Sequence, residues 1–173
     1  MGEVLPKIYV KDIFSISYDQ LKNRNIKCLV FDLDNTLVLM DDEKCSFEVC
    51  NKIKELKKDF LVVVSTNNIR RRVGKYLKDL EVEGFFFSMK PSPLTLYKIR
   101  KKYHLEKTEM CIVGDQIFTD ILAGNLFSIM TILVDPLGDK EHLFTGISRG
   151  MEAILIRKYK KRGLFERGKY YEK

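Results

Sequence analysis

The chain has 173 residues, 45% of them apolar and 32% charged, a balance that supports one ordinary soluble domain with a real core. Apolar runs such as FLVVV (60–64) are far too short to cross a bilayer, and MGEVLPKIYV lacks the apolar stretch of a secretion signal, so a cytoplasmic protein is expected. The net charge of +7 is uneven: from Arg149 onward nine Lys/Arg face three Glu, giving +6 there and leaving +1 on the first 148 residues.

In chain order, Ser17-Tyr18-Asp19-Gln20 has capping-box spacing and predicts a short helix ending near Asn23. CLVFD (28–32) is a continuous apolar run ending on a carboxylate and reads as a buried strand. Val49, Cys50, Ile53 and Leu56 recur at helical spacing and predict a helix over 46–58. FLVVVS (60–65) reads as a second strand, and Ile69, Val73, Leu77 and Leu80 mark the next helix. FFF (85–87) is expected as a short third strand, and Ser92-Pro93 as a helix start. MCIVGD (110–115) predicts a strand, TDILAGNLF (119–127) a helix and IMTILVD (129–135) a strand. Ile147, Met151, Ile154, Leu155 and Lys158 then mark an amphipathic helix that runs into RKYKKRGLFERGKYY (157–171).

Alternating strands and helices, with strands that are apolar throughout, predict a three-layer α/β fold: a Rossmann-like parallel sheet covered on both faces. One domain over 1–156 is expected, followed by a basic tail at 157–173. Of the four cysteines, Cys28 and Cys111 read as core residues, and Cys45 and Cys50 add no metal-binding spacing. His104 and His142 read as surface residues. In open sheets of this class ligands bind beyond the carboxyl ends of the strands. Asp32/Asp34, Ser65/Thr66 and Asp115 all fall at such ends.

Two aspartates one residue apart share a strand direction and can address one substrate. One carboxylate can attack phosphorus and form an aspartyl-phosphate, while the other protonates the leaving alcohol and then activates water. Their mutual repulsion calls for a cation, and an all-oxygen site suits Mg²⁺. Thr66 or Ser65 offers a hydroxyl next to a helix start. Lys90 offers a fixed charge, Asp115 a metal carboxylate, and Asp120 a supporting or second metal-side carboxylate. Asn67 could bind phosphate or cap the following helix. Arg70, Arg71 and Arg72 read either as a solvated helical face or as attraction for an extended anionic substrate. The C-terminal run reads as a solvated tail, as a contact for anionic lipid headgroups, or as a nucleic-acid contact. Nucleic acid is not the expected partner, because no base-reading motif is present.

FDLDNTL, the hydroxyl residue before Asn in VVVSTNN, KP, and GDQIFTD, in that order, resemble the signatures of the haloacid dehalogenase (HAD) phosphatase superfamily. The resemblance is to its subfamily IIIA and, within that, to the YqeG-like proteins, from about Leu5 to about Leu155. It implies Asp32 as nucleophile and metal ligand, and Asp34 as general acid/base with its carbonyl on Mg²⁺. It also implies Thr66 and Lys90 on the phosphoryl group, beside the candidate phosphate-binding Asn67, and Asp115 on the metal. Only about thirty residues separate Asp34 from Thr66, so the fold is expected to be capless. An exposed site of that kind suits a large substrate, or a homo-oligomer in which a partner subunit acts as lid. The resemblance thus implies a Mg²⁺-dependent phosphomonoester hydrolase. Some relatives act on phosphatidylglycerophosphate, which makes a lipid phosphate at a membrane surface the leading substrate. The alternatives are a phosphatase for nucleic-acid ends or sugar phosphates, and a non-catalytic binding protein on the same fold.

Overall fold

Strand residues point alternately to opposite faces, so a strand that is apolar throughout must be covered on both. The computed structural model describes residues 4–39, 42–138 and 147–172. In chain order these form β1 (Ile8–Tyr9), α1 (Tyr18–Asn23), β2 (Cys28–Phe31), α2 (Phe47–Leu56) and β3 (Leu61–Ser65). There follow α3 (Arg70–Leu80), β4 (Glu83–Phe85), α4 (Leu94–Lys102), β5 (Met110–Gly114), α5 (Leu122–Phe127), β6 (Met130–Leu133), α6 (Ile147–Lys161) and β7 (Tyr171–Glu172). A π-helical turn, Ile117–Ile121, leads into α5.

The strands form one sheet in the order β4-β3-β2-β5-β6-β1-β7, parallel except for the antiparallel pairing of β7 with β1. Leu29 and Phe31 of β2, Val62 and Val64 of β3, and Cys111 and Val113 of β5 face one cluster, which α1, α2 and α3 complete with Leu21, Ile53 and Val73. Cys28, Val30, Val63, Met110 and Ile112 face the other side, against Leu96 and Ile99 of α4 and Phe127 of α5. This is the expected Rossmann-like α/β layering. Between Asp34 and Thr66 the described residues form a tight loop, α2 and β3; between Thr66 and Lys90 they form α3 and β4. Among the described residues neither interval carries an inserted cap.

Local departures from expectation have local causes. Ser17 precedes α1, but its side chain makes no capping hydrogen bond. α2 instead has the better cap, Ser46, whose Oγ accepts from Val49 N. β4 takes only Phe85 of the FFF run, since Ser65 pairs with Phe85 and the backbone then turns left-handed at Phe87. β1 and β7 have two residues each, too few to show a pattern. His104 is exposed; His142, and the side chains of Ile147 and Met151, lie outside the described residues.

The boundary expected at residue 156 corresponds to no break in packing. α6 continues to Lys161, Tyr159 and Phe165 are buried with Tyr9, Ile117 and Leu133, and Tyr171 pairs with Tyr9. Within the run read as a solvated tail, Tyr159 and Phe165 are thus core residues, while most of the cations around them are exposed. The aromatic residues among the cations seal the sheet edge that the two-residue β1 leaves open.

Candidate active site

After β2 the chain builds β3 and β4 on one side, then crosses to build β5 and β6 on the other. The reversal opens a crevice at the carboxyl ends of β2 and β5, where α/β sheets bind ligands. Asp32 follows β2 and Asp115 follows β5. Asp32 N donates to Val113 O at 2.8 Å, which carries the β2–β5 ladder into the crevice. Leu33, between the two aspartates, is fully buried in the core opposite, so Asp32 and Asp34 share the site side.

Lys90 is the hub. Its Nζ donates to Asp32 Oδ1 at 2.5 Å, to Asp120 Oδ1 at 2.6 Å and to Ser65 O at 2.9 Å, which uses all three ammonium protons. Burial alone would lower the Lys90 pKa, but the Asp120 and Asp32 carboxylates outweigh it and hold the ammonium above its ordinary range. Asp32 moves the other way from a normal ion-pair carboxylate. Burial pushes it up to about 7 against the pull of Lys90, with the neighbouring Asp120 and Asp34 adding to the rise. Burial, rather than the ion pair with Lys90, sets that direction.

Asp120 reaches the hub from the π-helical turn, and its Oδ2 accepts from Gln116 N at 3.2 Å. Gly114 makes room for it: a Cβ there would fall 2.3 Å from Asp120 Cγ. Asp120 is thus part of the buried cluster itself rather than an outlying support. Asp115 Oδ1 accepts from Thr36 Oγ1 at 3.3 Å, and its backbone carbonyl accepts from Arg167 Nη2 at 2.8 Å.

Asp34 Oδ2 accepts from Asn68 Nδ2 at 2.7 Å and from Thr66 Oγ1 at 3.2 Å, while its buried Oδ1 has no hydrogen-bond partner among the described residues. Thr66, not Ser65, therefore presents its hydroxyl to Asp34. Ser65 contributes its carbonyl to Lys90, and its own buried hydroxyl makes no hydrogen bond among the described residues. The Asn67 side chain neither caps α3 nor lies free. Its Oδ1 accepts from Ser88 Oγ at 2.7 Å and Lys90 N at 2.9 Å, and its Nδ2 donates to Lys90 O at 3.2 Å, so it holds the loop that carries Lys90. Sequence reasoning missed Asn68, Thr36 and Arg167. The first two stand within quoted motifs and could have been found there; Arg167 had no local signal.

The carboxylates of Asp32, Asp115 and Asp120 each place an oxygen within 4.8 Å of the others, all three residues buried. Three carboxylates beside one ammonium leave an excess of negative charge that a divalent cation would balance, and hard oxygen donors suit Mg²⁺. The donor set therefore fits such an ion. The Asp34 carboxylate belongs to a separate group with Thr66 and Asn68.

Residues 2–82 match the family described as mitochondrial PGP phosphatase, and residues 88–139 match the HAD-hydrolase-like family. A probable phosphatase, YqeG of Bacillus subtilis, is 32% identical over 160 residues, covering 92% of this chain and 93% of that protein. The chain belongs to the YqeG-like phosphatases of the haloacid dehalogenase superfamily. The phosphatidylglycerophosphate phosphatase 1 of Arabidopsis thaliana, chloroplastic/mitochondrial, is 29% identical over 93% of the chain, which spans 49% of that longer protein. Among solved structures, a HAD family enzyme from Bacteroides thetaiotaomicron, determined as a magnesium complex, superposes with a TM-score of 0.54 at 14% identity. That match covers 70% of this chain and all of the other, and it shows the shared HAD fold. No described helix of this YqeG-like phosphatase is long and apolar enough to cross a membrane.

Proposed function

We propose that this phosphatase hydrolyses a phosphomonoester through an aspartyl-phosphate on Asp32, with Mg²⁺ held by Asp32, Asp115 and the Asp34 carbonyl, and Asp120 beside them. The observation that carries this reading is the convergence on Lys90: four strand ends deliver Asp32, Ser65/Thr66, Lys90 and Asp115/Asp120 to one buried cluster. A bound divalent ion would neutralise carboxylate and phosphoryl charge and so permit approach of one anion to another.

In the first step Asp32 Oδ attacks phosphorus and the P–O bond to the alcohol breaks, while Asp34 gives the leaving oxygen its proton. The asymmetry of Asp34 supports that role. Oδ2 is occupied as an acceptor by Asn68 and Thr66, so the exchangeable proton belongs on Oδ1. In the second step Asp34 takes a proton from water, whose oxygen attacks the acyl phosphate. Inorganic phosphate leaves and Asp32 is restored. When the phosphoryl group binds, Lys90 and Thr66 exchange one of their present hydrogen bonds for its non-bridging oxygens, and Asn67 keeps Lys90 in place through the 88–90 loop.

The leading substrate is a lipid phosphomonoester such as phosphatidylglycerophosphate, presented at a membrane surface. The match of residues 2–82 and the plant relative support this choice, as does an uncapped site able to admit a headgroup on a bulky lipid. The test is phosphate release from phosphatidylglycerophosphate, sugar phosphates, nucleotides and 5′-phosphorylated oligonucleotides, with Mg²⁺ or with EDTA. The expected result is Mg²⁺-dependent turnover that is fastest on the lipid and falls about 10³-fold or more in Asp32→Asn. Turnover indifferent to EDTA or to Asp32→Asn would overturn the mechanism; preference for a water-soluble ester would overturn the lipid assignment.

A further inference from the structure

The mouth of the site carries apolar side chains that no part of the described fold covers. Met89 is 70% exposed, Phe87 65%, Leu94 58% and Ile69 44%. They form one rim. Phe87 N donates to Asn68 O at 3.3 Å, which runs the 67–69 and 86–89 segments side by side, and Ser92 N donates to Met89 O at 2.8 Å in the turn leading to Leu94.

Scattered exposed apolar residues are ordinary and need no explanation. Three observations separate this group from that background. It flanks Lys90 and Asn68, two residues of the candidate site. Phe87 and Met89 have φ of +47° and +52°, a left-handed conformation that bulky side chains disfavour, and the strain is not offset by burying either one. Arg70, Arg71 and Arg72 adjoin the rim, all exposed and none in an ion pair among the described residues. They open α3, where the helix dipole opposes positive charge. The C-terminal cations are differently placed: Lys160 and Lys169 pair with Glu166, and Arg167 pairs with Asp135.

Arg70 lies over the Phe86 ring at 5.9 Å but makes no ion pair among the described residues. Apolar side chains edged by exposed guanidinium groups are complementary to an anionic bilayer surface, where the first enter the headgroup–acyl boundary and the second meet phosphates. We infer that the rim of Ile69, Phe87, Met89 and Leu94, together with Arg70–Arg72, docks this protein on an anionic lipid bilayer. The carboxyl edge of the sheet then faces the membrane, and a phosphorylated headgroup reaches Asp32 while its acyl chains stay in the bilayer. This rests on the lipid-phosphate reading above and assigns the contact with anionic headgroups to the site's rim.

The test is flotation of the whole chain with vesicles of phosphatidylcholine alone or with phosphatidylglycerol added, beside hydrolysis of p-nitrophenyl phosphate. Phe87→Asn/Leu94→Gln removes two apolar groups outside the loop that carries Lys90, and Asn tolerates the left-handed backbone at position 87. The expected result is flotation of the wild type with the anionic vesicles only. The double variant and Arg70→Gln/Arg71→Gln/Arg72→Gln each lower it about tenfold or more, with ester turnover within about twofold of the wild type. A double variant that floats like the wild type, or a wild type that ignores anionic vesicles while still cleaving the ester, overturns the docking and leaves the phosphatase reading standing. Wild type that binds RNA through the three arginines but not vesicles overturns it in favour of a nucleic-acid partner. Normal flotation without phosphate release from micellar phosphatidylglycerophosphate supports the docking and overturns the lipid substrate.

Discussion

At Asp34 the two carboxylate oxygens have different neighbours, and that difference carries a prediction. Asp34→Asn keeps the shape of the site but cannot move a proton, so turnover should fall about 10²- to 10⁴-fold. A p-nitrophenolate leaving group needs little protonation, so stopped-flow should show a burst of one p-nitrophenol per enzyme before a slow steady state. An equal loss with no burst would place Asp34 outside the proton path. Asp32 predicts a pH dependence. Its pKa is raised from an ordinary 3.8 to about 7, so between those values the folded metal-free protein holds a proton that the unfolded chain has released. Stability from this group is therefore present at low pH and lost as pH rises through about 7. In EDTA, the Tm of Asp32→Asn relative to wild type should climb from about pH 5 to about pH 8; a flat difference would contradict the burial argument. Much of this was legible in sequence, because carboxylates at the ends of apolar strands have few structural uses. Asn67 and Asn68 were not separable that way, since only the turn after β3 decides which amide meets Asp34 and which meets the Lys90 loop.

Among the elements, the central strands and their helices follow from continuous apolar runs and 3.6-residue spacing, while the sheet edge does not. β1 and β7 rest on partners rather than on pattern: Tyr9 is fully buried against Phe165, its hydroxyl donates to Asp135 Oδ1 at 2.5 Å, and Gly168 N donates back to that hydroxyl at 2.9 Å. Arg167 extends the same clamp to the Asp115 carbonyl. A run dense in Lys and Arg reads as solvated, and only long-range packing reveals that its aromatic residues are core. Phe165→Ala should therefore cost about 3 kcal/mol in urea unfolding, the lower end for a buried phenylalanine. A change within about 0.5 kcal/mol would restore the solvated-tail reading. The π-helical turn was equally hidden: TDILAGNLF has a helical pattern, but nothing in it shows that the first turn is widened at Ile117–Ile121 to bring Asp120 over Gly114.

For the molecule as a whole, strand order is what makes the chemistry. The reversal between β2 and β5 places Asp32 and Asp115 on neighbouring strand ends, and Lys90 enters from the far side of β3 to reach both Asp32 and Asp120. Three buried carboxylates around one ammonium are a stability cost until further positive charge arrives. Mg²⁺ at about 100 times its Kd should raise the unfolding free energy by about 2.7 kcal/mol, and Asp115→Asn should abolish most of that gain. Equal stabilisation of wild type and variant would show that the ion binds elsewhere. The central claim is that Asp32 becomes the phosphorylated group, and rapid acid quench of a single turnover with phosphate-labelled ester addresses it directly. A transient, hydroxylamine-sensitive label on the Asp32 peptide is expected. No label, or a label on any other residue, would contradict it.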